Sequence, residues 1–132
     1  MNEPALERYR QRYETWRHLD GLRYRSLQMV VGAFGIVVAT YDIAGVQPVL
    51  WVWLALSMFI FFQWRVLIKI NDGIASNGTA LRKFGAEVGD EMLPDTADRK
   101  NSIFYYAEWL LLVLAVVSFL VWLFLILDSS AP

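Results

Sequence analysis

Four polar side chains interrupt or border stretches that are otherwise apolar: Gln28, Gln63, Arg65 and Glu108. A charged group near the middle of a membrane helix costs about 2.5–3.5 kcal/mol on insertion scales, so each needs a partner or water. If the surrounding stretches are antiparallel membrane helices, all four fall at a similar depth near one surface. Two kinds of chemistry then follow: a polar ring lining the inner mouth of a pore, or polar links joining neighbouring helices. Arg65 and Glu108 are expected near enough to pair. Met58, Phe59 and Phe62 lie further in, bulky and apolar, and would form a hydrophobic constriction that closes by dewetting. Beyond Gln63, only Ser57 and Ser118 offer polarity at mid-depth. A third set, Arg8, Arg12 and Arg17, would attract an anionic ligand or lipid headgroups.

Other chemistry has no residues to carry it. Cysteine is absent and His18 is the single histidine, so no thiolate or histidine cluster for a metal is present. There is no phosphate-binding glycine loop, and Gly85 and Gly89 do not make one. No nucleophile stands beside a base at a recognisable spacing. An enzyme is not expected, nor are a cofactor, a bound metal or duplex nucleic acid as a partner.

The elements that would position these residues follow from charge-free windows, since about 20 apolar residues are needed to cross the hydrocarbon. Residues 26–41 carry no charge and reach spanning length if Tyr24 and Arg25 snorkel at one end and Asp42 sits at the other interface. Residues 43–64 hold a turn at 44–48 and then a second span extending to 70, with Pro48 in its first turn. Residues 109–127 are apolar throughout except for Ser118 and make the firmest span. The first two are joined so briefly that they must form an antiparallel hairpin. The apolar stretch starts too late, after too charged an arm, to be a cleavable signal peptide.

Basic residues set the orientation. All 12 Lys and Arg fall in the arm before span one, around 65–69, or between 82 and 100, whereas the 41–48 turn and the tail after 127 have none. The positive-inside rule therefore puts the N-terminus in the cytoplasm and the C-terminus outside a bacterial inner (plasma) membrane. Tyr24, Trp64, Tyr105, Tyr106 and Trp109 would form the inner aromatic belt, and Tyr41, Trp51, Trp53 and Trp122 the outer one. The acceptor motif Asn77-Gly78-Thr79 then lies on the inner side and is expected to be unused.

The arm reads as an amphipathic helix beginning near Pro4, with Leu6, Tyr9, Tyr13, Trp16 and Leu19 at spacings of three and four. Gly21 leaves two geometries open: a bend that lays the arm on the bilayer, or one long helix projecting from it. Arg10 and Glu14 are spaced for an intrahelical pair. Between spans two and three, Asn71-Asp72-Gly73 and Ser76-Asn77-Gly78 carry turn chemistry, followed by a short amphipathic helix over 81–92 that ends at Pro94. Residues 1–25, the arm through Arg25, have six Arg against four acids; residues 71–102 have four basic groups against six acids. The two segments are electrically complementary and are expected to dock, the arm's 8–17 against 87–98.

The stretch Tyr13-Glu14-Thr15-Trp16-Arg17-His18-Leu19-Asp20-Gly21-Leu22-Arg23-Tyr24, leading into two close-spaced spans, resembles the N-terminal part of small bacterial membrane proteins of the SLATT type, including the channel component of Hailong-type anti-phage defence. The resemblance covers residues 9–70 in layout. It implies an oligomer that opens the membrane when a partner polymerase makes a nucleotide signal, with arm and loop as the sensing region. The third span departs from the simple two-span pattern.

The sequence thus predicts an all-α membrane protein with three transmembrane helices and an N-terminal cytoplasmic amphipathic helix. Its segments are an arm over 1–23, a transmembrane hairpin over 24–70, a cytoplasmic loop over 71–102, a third span over 103–127 and an external tail over 128–132. The expected role is a homo-oligomeric effector or ion channel in the lipid bilayer, gated from the cytoplasm by an anionic nucleotide. The alternative is a non-catalytic accessory subunit of a larger membrane complex.

Overall fold

The computed structural model describes residues 3–40, 46–88 and 103–130. They form three helices, α1 (Glu3–Thr40), α2 (Val46–Val88) and α3 (Ile103–Ser129). Each contains a window long and apolar enough to cross a membrane, so the fold is all-α with three candidate spans. At 1.5 Å per residue, α1 is about 57 Å long, α2 about 65 Å and α3 about 40 Å. Only α3 is near the roughly 30 Å thickness of the hydrocarbon, so in a bilayer α1 and α2 would project well beyond a surface.

Of the two geometries left open at Gly21, the continuous one is found: α1 runs unbroken from the arm through the first span. The predicted turns at 71–73 and 76–78 do not form. Both triplets lie inside α2, which carries on to Val88, so the expected boundary after residue 70 and the separate loop helix give way to one long rod. The cause is a single packing stripe. Buried positions Leu56, Ile60, Gln63, Leu67, Ile70, Ile74, Gly78, Leu81 and Gly85 recur every three or four residues from the membrane segment to the far end. That is a coiled-coil rhythm, and sustained burial outweighs the weak helix propensity of Asn and Gly. The polar side chains fit the helix as well: Asn77 Nδ2 donates to the Gly73 carbonyl at 2.9 Å and Thr79 Oγ1 to the Ala75 carbonyl at 3.0 Å.

α2 is the central element, packing along both α1 and α3. A core of Val30, Leu56, Ile60, Leu67, Leu111 and Ala115 ties the three together, flanked by Leu27, Phe34, Trp53 and Phe59 among others. α1 and α3 meet near one end, where Tyr24 packs edge-on against Phe104 at 5.3 Å and the Arg23 guanidinium lies over the same ring at 3.3 Å. Arg23 also pairs with Asp20 one turn earlier. Along the arm, Tyr9, Trp16 and Leu19 are half-buried, while Leu6 and Tyr13 of the predicted apolar face stay exposed. Leu19 reaches α2 at Gly73, where an added Cβ would stand 3.1 Å from Leu19 Cδ1.

Candidate functional site

The four polar positions expected at one inner mouth are divided by the fold into two kinds. Gln63 and Glu108 are buried, and each is spent on a link between helices. Ser26 Oγ donates to Gln63 Oε1 at 2.7 Å, joining α1 to α2. Asn71 Nδ2 donates to Glu108 Oε1 at 2.6 Å, joining α2 to α3. A third link lies deeper, where Ser57 Oγ donates to the Ala115 carbonyl at 2.8 Å. With lipid on the outside, such bonds replace partners that the solvent does not supply, which is why they sit inward on facing helices.

Gln28 and Arg65, by contrast, are exposed. The expected ion pair between Arg65 and Glu108 is not made. Glu108 stands opposite Asn71, which is six residues or about 9 Å further along α2 than Arg65 and on a different face. The Arg65 guanidinium instead lies 5.9 Å from the Trp64 ring centroid. Asn71, absent from the residues picked out in the sequence, is the partner of Glu108. It was obscured by its place in an apparent turn, although it lies one residue after Ile70 on the same buried stripe.

Gln28 shares its face of α1 with Gly32, Gly35 and Ala39, spaced by four, three and four residues and all exposed. Ser26, Val30, Ala33 and Val37 mark the face turned to α2, and the Gln28 stripe lies on the opposite side of the helix. Nothing comes within 4 Å of a Cβ added at Gly32 or Gly35. Twelve residues, or about 18 Å of helix, separate Gln28 from Thr40, so in a bilayer with Thr40 at one interface this amide would lie within the thickness of the hydrocarbon. Among the described residues its side chain has no hydrogen-bond partner.

No family model, curated protein or solved structure matches this chain.

The expected constriction residues also separate. Met58 and Phe62 point outward from α2, 67% and 62% exposed, whereas Phe59 packs against the core. Of the arm's arginines, Arg8 donates from Nε to the Pro4 carbonyl at 3.2 Å, and Arg12 and Arg17 are exposed. The Arg10 to Glu14 pair forms at 3.7 Å on the surface. His18 is exposed, and no group of metal-ligating side chains occurs among the described residues. Glu87 lies at the end of α2 and is exposed, while Asp90, Glu91, Asp95 and Asp98 of the expected acidic docking segment lie outside the described residues.

Proposed function

We propose that this protein is a homo-oligomeric membrane effector that forms an ion-conducting pore in a bacterial inner membrane, gated from the cytoplasmic side, with its N-terminus inside and its C-terminus outside. The observation that carries this reading is Gln28: a polar side chain at span depth, on the outward face of α1, beside glycines that allow a second helix to come close. Further copies meeting along that face would pair the amides with one another or collect them around water. Because Gln63 and Glu108 are used within the protomer, Gln28 is the residue of the original four best placed to line an inner mouth. Met58 and Phe62, facing outward from α2, would supply the apolar constriction if α2 turns toward the axis in the assembly. Exposed Arg12 and Arg17, with Arg8, would receive an anionic nucleotide, in keeping with the resemblance to defence effectors.

The test is native mass in detergent followed by conductance in planar bilayers. A closed ring of defined subunit number is expected, with Gln28→Leu and Gly32→Leu each shifting the mass toward the protomer by crowding or depolarising the face. A wild-type chain that stays a lone protomer would refute the proposal. A second reading, a non-catalytic subunit of a larger complex, draws on Ser26–Gln63 and Asn71–Glu108, in which buried polarity serves helix packing alone. It predicts co-purification with a foreign membrane protein and no conductance from the pure chain.

A further inference from the structure

Beside the contact between Leu19 and α2 lies an open groove of about 390 Å³ lined by Leu19, Arg65, Val66, Lys69 and Ile70. Its walls are the three aliphatic side chains Leu19, Val66 and Ile70 from two helices, Ile70 also belonging to the buried stripe, and its rim carries two cations one helical turn apart. No acidic side chain lines it. Neither Arg65 nor Lys69 forms an ion pair among the described residues, and the nearest arm acid, Asp20, is already paired with Arg23.

Depth decides what such a groove meets. From Val46, the first residue of α2, to Arg65 is 19 residues, about 29 Å of helix, and to Lys69 about 35 Å. With the start of α2 at one interface, Arg65 stands at the opposite edge of a hydrocarbon layer roughly 30 Å thick, and Lys69 one turn further, among the headgroups. Leu19 reaches the same level from α1, 21 residues or about 32 Å from Thr40. Apolar walls therefore lie just below two cations, the arrangement that suits a molecule with a charged phosphate above and an acyl chain beneath.

We propose that this groove is a binding site for one anionic phospholipid of the inner leaflet, its phosphate held between Arg65 and Lys69 and its upper acyl chain lying against Leu19, Val66 and Ile70. Arg65 supplies a forked donor for phosphate oxygens and Lys69 a flexible point charge. The site is distinct from the arm arginines and bridges the two helices at the point where Leu19 reaches Gly73, so the lipid stitches the arm to the central helix. The assignment to the inner leaflet rests on the orientation proposed above; the binding itself does not.

Full-length protein in micelles doped with equal phosphatidylglycerol and phosphatidylcholine, read by native mass spectrometry, tests the site. The wild type is expected to retain phosphatidylglycerol over phosphatidylcholine by about tenfold, as two cations at a membrane surface allow. Arg65→Gln with Lys69→Gln should abolish the preference, and Val66→Trp, which fills the groove and leaves both charges, should reduce it severalfold. Arg65→Lys and the triple variant Arg8→Gln, Arg12→Gln, Arg17→Gln should retain it, and helicity by circular dichroism confirms that each variant is folded. An indifferent wild type, or a folded double variant or Val66→Trp variant with the preference intact, would overturn the site. Orientation is read separately: since the chain has no cysteine, Thr15→Cys and Ser130→Cys can be labelled singly in sealed vesicles. Labelling of both from one side would end the topology while leaving the lipid result, obtained without sides, to stand or fall by itself.

Discussion

The link between Asn71 and Glu108 can be weighed by a double-mutant cycle. Both residues are less than a tenth exposed, their bond is 2.6 Å long, and Asn71 Oδ1 already lacks a partner. Glu108→Leu removes the acceptor and strands the remaining amide donors as well, which should cost about 1–3 kcal/mol. Asn71→Leu takes a donor from a buried carboxyl and should cost a similar amount, about 1–3 kcal/mol. The double variant puts leucine against leucine and strands neither end of this bond, but it also loses a further interaction of Glu108, so it should cost about as much as one single variant, about 1–3 kcal/mol. We expect a coupling equal to one of the two single losses, about 1–3 kcal/mol, at or above that measured between membrane helices, because neither side chain has water as an alternative. The assay is equilibrium unfolding in mixed micelles with increasing dodecyl sulfate, followed by helicity and tryptophan emission. If the two single losses add to the double loss within about 0.3 kcal/mol, the contact carries no energy of its own and the account of α2–α3 docking is wrong.

Two further outcomes follow from local packing. Ser118 is 1% exposed and its hydroxyl has no partner, so Ser118→Ala should raise stability in the same assay by about 1 kcal/mol, whereas a loss would mean that the hydroxyl is satisfied after all. At Gly73, alanine meets only the flexible tip of Leu19 and gains about 1 kcal/mol of helix propensity, so Gly73→Ala should be near neutral; Gly73→Leu forces α1 from α2 and should cost about 1–3 kcal/mol, with equal behaviour of the two variants counting against the close approach.

The three candidate spans are legible in the sequence because a charge-free window of about 20 residues has few alternatives. The third is matched within a few residues by Ile103–Ser129, and Pro48 falls in the first turn of α2 as expected. What the local signals hide is the continuity of α2 past residue 70. Asn71, Gly73, Asn77 and Gly78 resemble turn formers when read by propensity, yet each has a use in a helix: Asn71 bonds Glu108, Gly73 admits Leu19, Asn77 bonds back to Gly73, and Gly78 lies on the buried stripe. The stripe Ile60, Leu67, Ile70, Ile74, Leu81 is itself visible as apolar residues three, four or seven apart, and following it through Gln63 and Gly78 reveals the long helix. The candidate site was half legible. Depth alone picked out Gln28, Gln63, Arg65 and Glu108, but depth does not tell inward from outward, and the partners Ser26 and Asn71 become apparent only when the helices are placed side by side.

A rod of 43 residues without a break behaves mechanically unlike a span joined to a soft loop. Movement imposed at Val88 cannot be absorbed on the way and reaches Val46 as rotation or tilt of the whole helix. Pivoting by about 5° at the bilayer edge would carry the far end, roughly 28 Å away, through about 2.5 Å, close to the diameter of a water molecule. In a bilayer the molecule would act as a lever pivoting where α2 leaves the hydrocarbon, its emergent arm from Arg65 to Val88, about 35 Å, longer than the embedded arm of about 29 Å.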